Sequence, residues 1–244
     1  MLLNSVLSVL LLVFIALSSL GLFVIAAFIW LVTKPFDKRL RLLHLFACFW
    51  ASIYVWITPY WRVKYIDTHL IDPRRTYVII SNHQSLLDIL VAFGLFVHFK
   101  WVSKIEIFKV PVIGWNMRLN DYVALKRGDA ESVAQMMAHC EHHLAQGSSV
   151  YLFPEGTRSF DGRVKPFKKG AFQLAKKLGV PILPLVIDGT TRALPKKSMV
   201  LTGRHEISLR ALPAIEPEMF EDCSPEELAE RVRSQIVAAL GQSG

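Results

Sequence analysis

Apolar and polar positions divide the chain into two parts of different character. Residues 2–33 carry no charge and are long enough for one helix to cross a bilayer, which takes about 20 apolar residues. A second apolar stretch, Leu42–Trp61, is crowded with aromatic side chains. Beyond it, short apolar runs alternate with segments of helical periodicity. We therefore expect an N-terminal membrane module at 1–64 and a main domain at 65–244.

Strands and helices are predicted to alternate along the main domain. Short runs rich in β-forming residues predict the strands, and apolar positions three or four apart predict the helices. The predicted strands are Thr76–Ser81, Lys100–Ser103, Asp121–Leu125, Val150–Phe153 and Ile182–Ile187, with a hairpin of Met199–Leu201 and Ile207–Leu212 through Gly203. The predicted helices are Ser85–Phe96, a short one within 104–119, Glu131–Ala145, Lys168–Leu178 and Pro225–Leu240. Such alternation predicts an α/β layered fold with a largely parallel sheet flanked by helices.

The N-terminal module is expected to hold one membrane span, or a helix inserted deeply into one leaflet. The linker 34–41 carries four basic residues against Asp37, so the positive-inside rule places it in the cytoplasm. Because Trp and Tyr favour the headgroup zone, residues 42–61 are predicted to form an interfacial helix. The main domain then lies on the cytoplasmic face, at the inner membrane if the cell is bacterial. A two-span hairpin with an external linker is the alternative, whereas a secretory signal fits poorly because no basic segment precedes the apolar run.

Composition and charge fit a membrane protein with a cytosolic main domain. The chain is 52% hydrophobic, its mean hydropathy is +0.36 and its net charge is +8. Basic residues flank the apolar, aromatic stretches, so a phospholipid membrane surface is the expected partner. No recognition motif for nucleic acid accompanies this charge, so nucleic acid is not expected as a partner. The three cysteines are far apart and show no CxxC spacing, which indicates reduced thiols.

The first candidate for chemistry is the block Asn82–Asp88, which directly follows a predicted strand. A histidine held by a carboxylate is a common general base, because the carboxylate fixes the tautomer and stabilises the imidazolium. His83 and Asp88 are about 140° apart on an ideal helix, so they can meet only if His83 lies in a loop or a first turn. No Gly-x-Ser-x-Gly elbow or cysteine nucleophile accompanies them, which favours direct transfer over a covalent intermediate. The alternative is a polar pair that only holds the start of a helix.

The second candidate is the block Phe153–Ser159, which also follows a predicted strand. Ligand sites of α/β sheets lie at the carboxyl ends of strands. Gly156 lets a backbone approach a ligand closely, and Arg158 can hold a phosphate through its planar guanidinium. Glu155 can bind a hydroxyl or orient Arg158. The alternative is an ordinary turn with a solvated Glu–Arg pair.

Three weaker signals lie outside these blocks. Lys104 and Arg127 each follow a predicted strand, so both could join Arg158 in an anion-binding funnel. The apolar segment Val180–Leu185 either lines an acyl groove or begins a core strand. In His139–His143 two histidines are four apart, but the order is not His-Glu-x-x-His, and a solvated helix face is favoured over a metal site.

The two blocks, about 70 residues apart and in this order, resemble the motifs of the glycerolipid acyltransferase family, most closely its 1-acylglycerol-3-phosphate acyltransferases. His83 and Asp88 match the catalytic His-x-x-x-x-Asp of that family. Glu155, Gly156 and Arg158 match the third motif in full, with Thr157 between the last two. Gly114 and Arg127 match the second motif loosely, and Pro181 and Pro184 match the fourth. Lys104 matches a basic residue that follows the first motif.

The resemblance implies transfer of a fatty acyl group from acyl-CoA or acyl carrier protein to the 2-hydroxyl of lysophosphatidic acid, which gives phosphatidic acid for phospholipid biosynthesis. It implies His83 as general base oriented by Asp88, and Lys104, Arg127 and residues 155–158 as the acceptor site. It also implies no metal, and no cofactor besides the acyl donor as co-substrate. The sequence leaves open another acceptor, such as glycerol 3-phosphate, another lysophospholipid or a lyso-ornithine lipid. A non-catalytic lipid-binding membrane protein is the alternative of a different class.

Overall fold

One sheet of seven strands organises the described residues, 2–195 and 203–242, of this computed structural model. The strands are β1 Trp61–Ile66, β2 Val78–Ser81, β3 Phe99–Lys104, β4 Val123–Leu125, β5 Ser149–Leu152, β6 Ile182–Asp188 and β7 His205–Ala211. The helices are α1 Leu2–Thr33, α2 Arg41–Trp56, α3 Leu87–Phe93, α4 Ile113–Leu119, α5 Ala130–Ala145, α6 Gly170–Leu178, α7 Thr190–Ala193 and α8 Pro225–Ala239.

The strand order is β1-β7-β6-β2-β5-β3-β4. The five strands from β6 to β4 run parallel to one another. Strand β7 is antiparallel to β6, and β1 is parallel to β7. The prediction of an α/β layered fold with a largely parallel sheet is therefore confirmed. The ends of β2 to β6 share one side of the sheet, which we call the carboxyl edge, and their starts share the opposite, amino edge.

Apolar side chains alternate across the sheet and bury both of its faces. Tyr77 and Ile79 pack on one side with α2 and α3. Val78 and Ile80 pack on the other side with α5, α6 and α8. A strand buried on both faces has a continuous apolar sequence, which is why these runs were predictable. Within the segment Val180–Leu185, residues Ile182–Leu185 begin β6 and are buried, as the core-strand alternative requires.

The edge strand β1 was not predicted, although its sequence alternates. Trp61 and Val63 pack on the core, whereas Arg62 and Lys64 are exposed. Its aromatic residues continue those of the preceding stretch, which led to the prediction of one long interfacial helix through Trp61, but α2 ends at Trp56. The expected boundary between residues 64 and 65 falls inside β1. Charged side chains on an edge strand discourage pairing with other chains.

Strand β7 also differs from its predicted hairpin. It pairs with β6 on one side and with β1 on the other, so both of its edges are occupied. The Met199–Leu201 half of that hairpin lies outside the described residues. The second partner of β7 is therefore β1, which comes from a much earlier part of the chain.

The two N-terminal helices are joined by polar side chains. Helix α1 is long and apolar enough over Ser8–Thr33 to cross a membrane, and few of these residues are buried. The Tyr54 hydroxyl on α2 lies 3.0 Å from Ser18 Oγ and 2.9 Å from Ser19 Oγ of α1. The same hydroxyl accepts the indole N–H of Trp50 at 2.9 Å. Hydrogen bonds of this kind hold helices together where lipid offers no polar partner.

Helix α2 belongs to the core on one face and to the surface on the other. Ala47 and Cys48 are buried against the main domain. Leu42, Phe49 and Trp56 are spaced seven apart, lie on one face and are exposed. An apolar exposed face of this kind fits the expected contact with a leaflet.

Helix α4 begins in close contact with the turn before it. At Gly114 an added Cβ would lie 2.1 Å from the backbone carbonyl oxygen of Phe108. Backbone atoms cannot move aside as the end of a flexible side chain can. We expect Gly114→Ala to lower the free energy of unfolding by about 2 kcal/mol, as overpacking typically does.

Chemical denaturation in detergent, followed by tryptophan fluorescence, measures this change. Gly170→Ala is the matched control, since its Cβ would lie 3.6 Å from Met137 Sδ, an ordinary contact. Equal stability of the two variants would contradict the close packing at Gly114.

Candidate active site

The two sequence blocks lie side by side at the carboxyl edge. Strand β2 ends at Ser81 and leads into the first block, and β5 ends at Leu152 and leads into the second. These strands are parallel neighbours in the sheet. Parallel neighbours end at the same edge, so residues far apart in sequence are brought into contact there.

The His83 ring is hydrogen-bonded to a fully buried carboxylate. Its Nδ1 lies 2.8 Å from Asp88 Oδ2. The same oxygen accepts the backbone N–H of Gln84 at 2.6 Å and of Ser85 at 2.8 Å. Asp88 lies in the first turn of α3 and His83 in the loop before it, the arrangement that their spacing required. With Nδ1–H donated to Asp88, Nε2 is the nitrogen that can accept a proton.

An aromatic stack fixes the orientation of this ring. Phe153 lies against His83 with ring centroids 3.9 Å apart and an interplanar angle of 15°. Trp101 of β3 stacks behind Phe153 at 5.6 Å. The His83 side chain is 12% exposed, so one part of the ring remains accessible. The imidazole is therefore held in place before any substrate binds.

The first block is anchored to strand β6 by the side chain of Asn82, whose amide group forms hydrogen bonds as a backbone peptide group would. Asn82 Nδ2 donates to Ile187 O at 2.8 Å, and Asn82 Oδ1 accepts Ile187 N–H at 2.9 Å. Asn82 is fully buried. Ser85 Oγ donates to Leu194 O at 2.6 Å and fixes the far end of the loop. These bonds hold the loop that carries His83 against the sheet.

Glu155 connects the two blocks through backbone hydrogen bonds. Its Oε1 accepts His83 N–H at 2.7 Å and its Oε2 accepts Lys165 N–H at 3.0 Å. The side chain is buried, and this burial raises the pKa of Glu155 to about 7, although the two amides oppose the shift. Ser159 N–H donates to His83 O at 2.8 Å and adds a second link. Both carboxylate oxygens are engaged, which suits a positioning residue; a direct contact of Glu155 with substrate stays a prediction.

Cationic side chains gather around Gly156. This residue has φ +69°, a backbone conformation that favours glycine, and an added Cβ would lie 3.1 Å from Lys168 Nζ. Lys165 Nζ donates to Arg158 O at 3.3 Å. Thr157 and Arg158 are partly buried. The Gly156 N–H donates to Phe153 O at 3.0 Å and so closes the turn.

The sequence prediction missed the two lysines of this group. Lys165 and Lys168 follow the second block in an irregular segment and match no motif. The only signal in the sequence was two positive charges, three positions apart, that follow a suspected phosphate site. Charge alone does not reveal which surface lysines turn back towards the block.

Lys104 and Arg127 lie farther out along the same edge. Lys104 is the last residue of β3 and forms an ion pair of 3.1 Å with Glu106, in which both side chains are exposed. Arg127 follows β4 and is exposed. Strand β3 is one strand and β4 two strands beyond β5. Both cations therefore share the edge with the second block, and their part in acceptor binding stays a prediction.

Known proteins resemble this chain in sequence and in fold. Residues 62–188 match the family model described as Acyltransferase. The chloroplastic 1-acyl-sn-glycerol-3-phosphate acyltransferase BAT2 of Brassica napus is 42% identical over 165 residues, which is 67% of this chain and 47% of that protein. The chloroplastic 1-acyl-sn-glycerol-3-phosphate acyltransferase LPAT1 of Arabidopsis thaliana is 40% identical over 169 residues, 69% of this chain and 46% of that protein. The chain thus spans about half the length of these two relatives.

A solved structure has the same fold. It is the crystal structure of the 1-acyl-sn-glycerophosphate (LPA) acyltransferase, PlsC, from Thermotoga maritima, with a TM-score of 0.77 at 24% sequence identity. The alignment covers 98% of this chain and 96% of that one. The likeness therefore includes the N-terminal helices as well as the sheet.

The raised pKa of Glu155 predicts a pH dependence of stability. Between its ordinary pKa of 4.5 and its folded-state pKa of about 7, the folded protein keeps a proton that the unfolded chain has lost. The free energy of unfolding therefore falls as pH rises through this range, by on the order of 3 kcal/mol for this residue. Glu155→Gln cannot titrate, so wild type should lose stability relative to this variant between pH 5 and pH 7.

Denaturation curves of both proteins at pH 5, 6 and 7 measure the difference. Lys169 lowers the pKa of Glu226 below its ordinary value, so Glu226→Gln should keep the wild-type slope in this range. Parallel slopes for wild type and Glu155→Gln would show that the pKa of Glu155 is not raised.

Proposed function

The chain belongs to the Acyltransferase family, and from this membership we propose that it transfers a fatty acyl group to the 2-hydroxyl of 1-acyl-sn-glycerol 3-phosphate. The resemblance predicted from the two blocks is thereby confirmed at the level of the family. One observation carries the proposal: His83, hydrogen-bonded to the buried Asp88, lies at the carboxyl edge beside a group of cations. The relatives that bear this activity in their names support the choice of acceptor.

His83 is the general base of the proposed reaction. Its Nε2 takes the proton of the 2-hydroxyl while that oxygen attacks the thioester carbonyl of the acyl donor. Asp88 stabilises the imidazolium that forms, since it already accepts Nδ1–H. When the C–S bond breaks, the proton passes from His83 to the departing thiolate. Acyl-CoA or acyl carrier protein supplies the thioester, and the product is phosphatidic acid.

The acceptor phosphate is held by the cations around Gly156. Arg158 offers a planar fork of donors, and Lys165 and Lys168 add positive charge near the turn. Gly156 and Thr157 line the same turn. Lys104 and Arg127 extend the positive charge along the edge, where they attract the anionic headgroup.

Glu155 acts on the chemistry through its neighbours. One of its oxygens holds the backbone of His83, and the other holds the backbone of Lys165. It therefore fixes the distance between the base and the cations. A fixed distance lets the 2-hydroxyl reach Nε2 while the phosphate is bound.

The membrane supplies the acceptor. Helix α1 and the exposed face of α2 hold the protein at the bilayer, and the basic linker between them favours the cytoplasmic side. A cytoplasmic carboxyl edge meets the soluble acyl donor. Lysophosphatidic acid reaches the same edge from the leaflet.

The base role is tested by acyl transfer in detergent or vesicles. Acyl-CoA and acyl carrier protein are offered as donors to lysophosphatidic acid, glycerol 3-phosphate, other lysophospholipids and a lyso-ornithine lipid. Wild type should form phosphatidic acid, and His83→Ala should lower kcat by about 10²- to 10⁴-fold with its circular dichroism unchanged, because general-base catalysis is lost. His69→Ala, at an exposed histidine outside the site, should keep wild-type activity.

Each contrary result has a distinct meaning. Full activity in His83→Ala would exclude the base role. Transfer only to another acceptor would keep the mechanism and change the substrate. Absence of transfer by folded wild type with every donor and acceptor would favour a non-catalytic lipid-binding protein.

The phosphate site is tested by Arg158→Ala. Loss of a charge-assisted hydrogen bond, worth about 1.5–3 kcal/mol, should raise KM for lysophosphatidic acid by about 10- to 100-fold. KM for the acyl donor should stay the same. Arg163→Ala is the matched control, an exposed arginine in the same loop. An equal rise of KM for donor and acceptor would indicate a general distortion of the loop instead.

A further inference from the structure

Asp121, His139 and His143 bring three ligand atoms together at the amino edge. These atoms all lie within 4.8 Å of one another. The Nε2 atoms of His139 and His143 lie 3.3 Å and 3.7 Å from oxygens of the Asp121 carboxylate. The two histidines are four apart on α5, and their rings stack with centroids 4.5 Å apart. Both rings therefore project from the same side of the helix towards the Asp121 carboxylate.

We propose that these three side chains bind a divalent transition-metal ion, with Zn²⁺ as the preferred ion. Two imidazole nitrogens and one carboxylate oxygen are a ligand set that Zn²⁺ accepts, at distances of about 2.0–2.2 Å. Around a tetrahedral ion at these distances, neighbouring ligand atoms are about 3.3–3.6 Å apart. The distances from His139 Nε2 to Asp121 Oδ1, 3.3 Å, and from His143 Nε2 to Asp121 Oδ2, 3.7 Å, are close to this value, and either oxygen can be the ligand after a small rotation of the carboxylate. Water completes the coordination.

Coordination replaces one hydrogen bond of the cluster, because metal ligands must be deprotonated. His143 Nε2–H lies 2.9 Å from the backbone oxygen of Asp121. Coordination through Nε2 breaks this hydrogen bond, and the ring proton moves to Nδ1.

The surroundings allow access and limit affinity. The Asp121 side chain is 54% exposed and that of His139 35%, so an ion reaches the site from solvent. Lys100 lies nearby, since its Nζ donates to Asn120 O at 2.7 Å and its charge acts on His143. A neighbouring cation opposes a metal ion, so we expect micromolar rather than tighter binding.

The site is separate from the chemistry of acyl transfer. Asp121 precedes β4 and α5 leads towards the start of β5, so both lie at the amino edge, whereas His83 lies at the carboxyl edge. An ion here would join the segment before β4 to α5. Its effect should therefore be on stability, while acyl transfer remains insensitive to chelators.

The test measures Zn²⁺ binding by the full, tag-free protein in detergent after removal of metals with EDTA. Isothermal titration gives stoichiometry and affinity, and the visible spectrum of bound Co²⁺ reports tetrahedral coordination. We expect one Zn²⁺ per chain, at least a tenfold loss of affinity in His139→Ala and in Asp121→Asn, and a larger rise of Tm with Zn²⁺ in wild type than in either of these two variants. Asn tolerates the left-handed backbone of Asp121, where φ is 55°.

His142→Ala is the matched control. It lies on the same helix beside the pair, but its Nε2 contacts the Gln146 amide at 3.0 Å. We expect this variant to bind Zn²⁺ as wild type does, and Mg²⁺ not to compete because it prefers oxygen ligands. Equal loss in His142→Ala and His139→Ala, or the same affinity in all four proteins, would overturn the proposal. These outcomes leave the acyl-transfer test untouched, because that test concerns residues at the other edge.

Discussion

The buried carboxylate of Glu155 is the contact on which the site depends. It accepts the backbone N–H of His83 and that of Lys165, so the two sides of the site are held together by a single side chain. Asp88 has the same role within the first block, where its Oδ2 accepts the ring N–H of His83 and the backbone N–H groups of Gln84 and Ser85. A buried carboxylate is tolerated when hydrogen bonds compensate for its lost hydration, and the main chain supplies them to both oxygens of Glu155 and to one oxygen of Asp88. These backbone hydrogen bonds hold both loops in a fixed geometry, so the site is preorganised.

Local sequence was enough to predict what lies within each block, but not what joins the blocks. The spacing of His83 and Asp88 required a loop followed by a first turn, and the structure has both. The continuous apolar runs predicted the buried strands, because burial on two faces leaves no polar position. No spacing rule connects Glu155 to the backbone of His83, since that contact depends on which strands become neighbours. The contact of Asp121 with His139 and His143 was not predicted for the same reason, because the two histidines are on a later helix.

The membrane module and the main domain share a helix. His44 on α2 lies with Nδ1 2.8 Å from the Tyr122 hydroxyl and with Nε2 3.0 Å from Val97 O, both in the main domain. The opposite face of α2 is apolar and exposed. An interfacial helix was predictable from its aromatic residues, but its second role was not, because the buried face is as apolar as the exposed one. The position of α2 relative to the main domain is consequently set by packing and not by a flexible linker.

The pairing of β1 with β7 has a consequence for biosynthesis. Val63 pairs with Ile207, about 140 residues later in the chain, and β7 is the only strand beside β1 among the described residues. At a synthesis rate of about 10 residues per second, the nascent chain carries β1 without its partner for roughly 14 s. During that interval α1 has already left the ribosome and can enter the membrane. With α1 inserted as proposed, the unpaired strand would stay at the bilayer surface, with Arg62 and Lys64 near the lipid headgroups, and away from other unfinished chains.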